Sequence, residues 1–132
     1  MKALNRFGVF INATLIAILF VGIALRTNFQ NISSVSDWGI LIGLVVWAAV
    51  PYAAMVIAHL RSQRLNSAAL VVGTMLIAIF GIHFLVDAFW TNFSSNTAGL
   101  PLVFMPLYQI PVCFVTVIAA KFWRDREQAK GK

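Results

Sequence analysis

Four apolar stretches succeed one another along the chain: residues 7–25 between Arg6 and Arg26, 38–60 between Asp37 and Arg61, 68–90 interrupted only by His83 and Asp87, and 100–122 with Lys121 at its end. A helix needs about 20 apolar residues to cross the hydrocarbon of a bilayer, so the pattern predicts four transmembrane helices. Each segment must satisfy its own N–H and C=O groups in lipid, which a helix does. No stretch alternates polar and apolar residues over the length of a barrel strand, which excludes a transmembrane barrel. The connections, residues 26–37, 61–67 and 91–99, are short enough to make consecutive helices antiparallel neighbours. The expected fold is all-α: one transmembrane domain over residues 1–132, an antiparallel bundle of four helices in an integral membrane protein. Residues 123–132 form a basic tail, too polar to pack, that reads as a frayed helix end.

Composition supports lipid as the solvent. Hydrophobic residues make up 61% of the chain and charged residues 11%, against about 45–50% and about 25% in soluble domains. Charge then sets the orientation. Lys2, Arg6, Arg61, Arg64, Lys121, Arg124, Arg126, Lys130 and Lys132 fall on one side of the alternating topology and Arg26 on the other. By the positive-inside rule both termini and the 61–67 connection are cytoplasmic, and the bacterial cytoplasmic (inner) membrane is the expected location. Arg61, Arg64, Lys121, Arg124 and Arg126 are placed to hold anionic lipid headgroups, at roughly 1 kcal/mol each. The net charge of +6 reflects this asymmetry rather than nucleic-acid binding. The first stretch is longer than a signal-peptide core and Gly22-Ile23-Ala24 is a poor cleavage site, so it reads as a retained helix.

Polar side chains inside the spans are costly and therefore informative. Counted from the outer boundary at about 1.5 Å per residue, Asp87 lies about 5 Å deep, His83 about 10 Å, Tyr108 and Gln109 about 10–12 Å, and Trp47 about 14 Å. These five residues are the candidate binding layer, with Tyr52 within reach. Gln109 and Tyr108 are expected to face the bundle interior and meet Trp47 or His83, because a Gln amide in lipid leaves its groups unpaired. His83 and Asp87, four apart, share a helical face and form a candidate proton relay. Asn12 is out of step, nearer the cytoplasmic side. Pro51, Pro106 and Pro111 are candidate kinks that free the carbonyls of Trp47, Leu102 and Leu107. Trp38, Trp90 and Trp123 read as interfacial anchors.

No catalytic constellation emerges. His59, beside Arg61 at the inner surface, and His83, in the outer half, cannot flank one haem iron within the chain. No cluster of His, Cys or carboxylates has metal-ligand spacing, and Cys113 reads as packing. No cofactor is implied. Gly39 and Gly43 form a GxxxG pair, and Gly73 and Gly81 share a stripe with Ala69; small residues of this kind permit close helix approach, within the bundle or between copies. A faint repeat relates Thr27-Asn28-Phe29 to Thr91-Asn92-Phe93 and Val56-Ile57-Ala58 to Val117-Ile118-Ala119. The leading functional reading is a small polytopic membrane protein that binds lipid, a partner membrane protein or itself within the bilayer, in an assembly, accessory or regulatory role. The alternative is a small transporter or channel, proton-linked and dimeric, using the outer-half layer. A lipid- or quinone-linked enzyme comes third.

Overall fold

In the computed structural model, which describes residues 3–26, 34–61, 65–87 and 100–130, one helix follows each apolar stretch: α1 (Ala3–Arg26), α2 (Val35–Leu60), α3 (Ser67–Val86) and α4 (Leu100–Lys130). All four are long and apolar enough to cross a membrane. α2 and α3 start where caps start them, not where charge ends. Ser34 Oγ accepts from the Asp37 N–H at 3.2 Å while the Asp37 carboxylate accepts from the Ser34 N–H at 3.0 Å. This reciprocal capping box moves the start of α2 to Val35 and puts Asp37 inside its first turn. At α3, Asn66 Oδ1 accepts from the N–H groups of Ala68 and Ala69 at 3.0 and 3.1 Å. Asp87 caps the other end of α3 in helical geometry; the expected continuation through Trp90 lies outside the described residues.

The polar stretch after Phe122 is not frayed as far as it is described, through Lys130. α4 runs unbroken past Phe122 to Lys130, and Asn66 Nδ2 donates to Glu127 at 2.8 Å. Residues 123–130 are good helix formers without Gly or Pro, so nothing stops the helix at the membrane boundary. Pro51, Pro106 and Pro111 sit inside continuous helices, the first two buried and the third exposed.

α1 packs against α2 and α3, and α4 packs against α3 and α2, while α2 and α3 meet only across the short diagonal. Consecutive helices α2 and α3 are therefore not side-by-side neighbours, contrary to the loop-length argument. A short connection limits how far a chain can travel between helix ends, and a diagonal step satisfies that limit too. The neighbours α1/α3 and α2/α4 run parallel. Seven-residue recurrence, the period of a helix–helix seam, explains the inward faces. Along α1, Asn5, Gly8, Asn12, Leu15 and Leu19 are all buried; Tyr52, Met55, Leu70, Ile77 and Met105 complete the centre, each with no exposed surface. Less than half of each span is buried in the bundle, and Phe10, Ile40, Ile79, Phe114 and Val115 point outward, as a lipid-facing surface requires.

The glycines sort into two kinds. A Cβ built on Gly8 would run into the His59 ring, one on Gly73 into Thr116, and one on Gly81 into the Tyr52 hydroxyl. These three are contact points of the bundle. Gly39 and Gly43 have nothing within 4 Å, so the GxxxG pair takes no part in packing among the described residues. Of the repeat, both Thr-Asn-Phe segments lie outside the described residues. Pro51 and Pro111, which precede the other two triplets, differ in burial, because a shift of one residue turns a helix by about 100°.

Candidate functional site

Two layers of buried polar side chains cross the bundle. In the first, Gln109 on α4 is only 1% exposed. Its Nε2 donates to Tyr52 Oη at 3.1 Å and to the Ile77 carbonyl at 3.0 Å, so it ties α4 to α2 and α3 together. The Ile77 carbonyl can only accept, which fixes the amide orientation. Tyr52 donates in turn to the Met105 sulfur at 3.8 Å, and Gly81 lets the hydroxyl approach the α3 backbone. Gln109 Oε1 finds no partner among the described residues.

The expected layer does not converge as a unit. Gln109 faces inward and meets Tyr52. Tyr108, the next residue, is turned away by about 100°; it is 62% exposed and stacks on Phe84 with centroids 6.0 Å apart. Trp47 is half-buried, and its indole N–H donates to the Val103 carbonyl at 2.9 Å instead of to Gln109. That acceptor adjoins Leu102, whose carbonyl Pro106 deprives of its helical donor. His83 is exposed on α3 and Asp87 is half-buried at its end. Trp47→Phe, which keeps an aromatic ring but removes the donor, should lower bundle stability by about 0.6–1.7 kcal/mol. Equilibrium unfolding in mixed micelles checks this; an unchanged midpoint would mean that the indole bond contributes nothing.

The second layer was not anticipated. His59, read from its neighbour Arg61 as an interfacial residue, is fully buried. Its Nε2 lies 2.9 Å from Thr74 Oγ1 and its Nδ1 3.4 Å from Asn5 Oδ1. Asn12 Nδ2 donates to Thr74 Oγ1 at 3.3 Å and to the Gly8 carbonyl at 2.8 Å. Gly8 supplies the notch that admits the imidazole. Asn12 is thus out of step with the first layer because it belongs to this one. Thr116, opposite Gly73, and Cys113, whose Sγ donates to the Pro51 carbonyl at 3.6 Å, complete the buried polar groups near it. The signal available in the sequence is spacing: Asn5 and Asn12, Tyr52 and His59, Thr74 and Gly81, and Gln109 and Thr116 are all seven apart.

Among the described residues three surface hollows could receive ligands, one of them an apolar hollow of about 320 Å³ between α2 and α4 lined by Val50, Ala54, Ile110 and Phe114 among others. An apolar groove of about 410 Å³ runs between α1 and α3, lined by Ile18, Val21, Leu25, Ile82 and Val86 among others; its size is that of a small-ligand pocket. At the end of the bundle near Asn66, a smaller cleft includes Arg124 and Glu127. Of the other basic residues, Arg126 lies over the Phe122 ring at 4.6 Å, Arg61 and Lys121 are exposed, and Arg64 lies outside the described residues. Trp38 and Trp123 are about half exposed, while Trp90 lies outside the described residues. Among the described residues no group of three His, Cys, Asp or Glu is placed to hold a metal ion.

A family model described as phosphoethanolamine transferase EptA/EptB matches residues 3–121. No curated protein and no solved structure matches the chain. The match runs through all of α1, α2 and α3 and most of α4, so the chain belongs to the phosphoethanolamine transferase EptA/EptB family, in its N-terminal region, and is an integral membrane protein.

Proposed function

We propose that, within this family, the chain is the membrane-embedded part of a phosphoethanolamine-transferase system, and that it works by binding lipid or a membrane partner inside the bilayer. The observation that carries this reading is the extent of the match, residues 3–121, which coincides with the bundle itself. The chemistry of the bundle supports a binding role over a catalytic one. The chain has four carboxylates, and Asp37, Asp87, Asp125 and Glu127 all sit at helix ends or in the polar extension of α4, none in a buried layer. The buried polar groups hydrogen-bond mainly to one another across helices, which holds helices in register. The transporter or channel alternative draws less support from side chains committed in this way. Outward-facing apolar surface and the α1–α3 groove offer acyl chains or a partner helix the contact area, with the chain itself as one such partner. The candidate residues Trp47, His83, Asp87, Tyr108 and Gln109 then divide: Gln109 holds the bundle together, while His83 and Tyr108 belong to the surface that a partner would meet.

The basic end, with both termini, is assigned to the cytoplasmic face of the inner membrane. Cysteine substitutions at Ser34 and Ser95 should be labelled by impermeant reagents from outside, and at Ser62 only after permeabilisation; the reverse pattern inverts the assignment. Affinity purification of the chain in mild detergent tests the binding role. A stoichiometric membrane protein or retained phospholipid is expected, and recovery of bare chain would remove the basis for it.

A further inference from the structure

The cleft at the end of the bundle has a volume of about 190 Å³, and its lining includes Leu4, Leu65, Asn66, Ser67, Arg124 and Glu127. Nothing in helix packing requires charge there. Arg124 and Glu127 are three apart on α4 and so share a face, which presents a cation and an anion to one small space. Asn66 builds the opposite wall and is fixed from several sides. Its N–H donates to the Ala120 carbonyl at 2.9 Å, its Oδ1 caps α3, and its Nδ2 donates to Glu127 Oε1 at 2.8 Å. That bond leaves the second Glu127 oxygen for another donor. Arg124 is half-buried, and its Nε, shut off from solvent, has no acceptor among the described residues. A buried N–H of a guanidinium without an acceptor is costly, and an incoming oxyanion removes that cost.

The cleft also lies where apolar helix gives way to basic residues, at the depth of lipid headgroups. Leu4 and Leu65 give it an apolar lip past which acyl chains can leave. We propose that this cleft is a phospholipid headgroup site in which Arg124 takes the phosphate and Glu127, oriented by Asn66, takes a primary ammonium. The guanidinium fork suits a phosphate diester, and a lysine would offer only a point charge. Discrimination comes from Glu127, since a quaternary choline nitrogen has no N–H to donate. The inference requires the chain to be embedded in a membrane but not that it take part in a transfer reaction.

The test uses the full chain in nanodiscs of choline phospholipid, doped in parallel with ethanolamine phospholipid or with an anionic glycerol phospholipid. Lipid retained after delipidation is counted by native mass spectrometry. One retained ethanolamine lipid per chain, in preference to choline and glycerol lipids, is expected. Glu127→Gln should abolish the preference for ethanolamine over choline while retention persists; Arg124→Gln should lower retention about tenfold or more. Both side chains lie at the end of the bundle, and unchanged helical circular dichroism will show that the variants fold. Retention indifferent to both substitutions overturns the proposal, as does a preference for the glycerol lipid. Displacement of the lipid by millimolar inorganic phosphate but not by soluble phosphoethanolamine would also overturn it, because the cleft would then be a plain phosphate site.

Discussion

His59→Ala is expected to destabilise the bundle by about 2–5 kcal/mol, the range for truncating a large, fully buried side chain. The imidazole fills the notch at Gly8 and links α2 to Thr74 of α3 and Asn5 of α1. Its removal opens a void and strips both groups of a partner, each bond being worth about 0.6–1.7 kcal/mol in a membrane. Gly8→Ala alone should cost about 1–3 kcal/mol, since its new Cβ meets the ring. Combined, the two should cost less than their sum by about 0.5–3 kcal/mol, because the added methyl occupies space the ring has left. Unfolding of the four proteins in mixed micelles measures this cycle. Strict additivity would mean that His59 does not sit in the Gly8 notch.

Gly73→Leu is the second large effect. The atoms that a Cβ would meet include Thr116 Cβ, which cannot move without its backbone, so α3 and α4 must separate. A loss of roughly 3 kcal/mol or more is expected, at or beyond the usual range for overpacking, seen as a collapse in folded yield. Gly39→Ala and Gly43→Ala are the contrast. They meet open space among the described residues and should stabilise α2 by up to about 1 kcal/mol through helix propensity. If Gly73→Leu were tolerated while either α2 substitution disrupted folding, the packing described for the two helices would be inverted.

The spans were legible because the length of an apolar run is a physical requirement of the bilayer. Their ends were not, because charge was taken as the border. Asp37 belongs to α2 as half of a capping box, and Arg124, Arg126 and Lys130 ride on an extension of α4 that water tolerates. Burial of Gln109 was legible from the cost of an unpaired amide in lipid. Its neighbour Tyr108 was not separable from it by depth alone: depth places both in one layer, and only the helical angle sends one inward and the other out. His59 was hidden by the opposite error, since nearness to Arg61 along the chain says nothing about which face it occupies. The seven-residue step from Tyr52 carried that information. The diagonal meeting of α2 and α3 depends on which faces fit, and a loop length cannot specify it. Family membership rests on a whole pattern of residues rather than on any motif that can be read singly.

The proposal that this bundle serves a phosphoethanolamine-transferase system is tested most directly by mass spectrometry of phosphoethanolamine-modified molecules in cells with and without the chain. Loss of the chain should lower that decoration, and the wild-type chain should restore it where Gly73→Leu does not. Decoration unchanged by removing the chain would contradict the account.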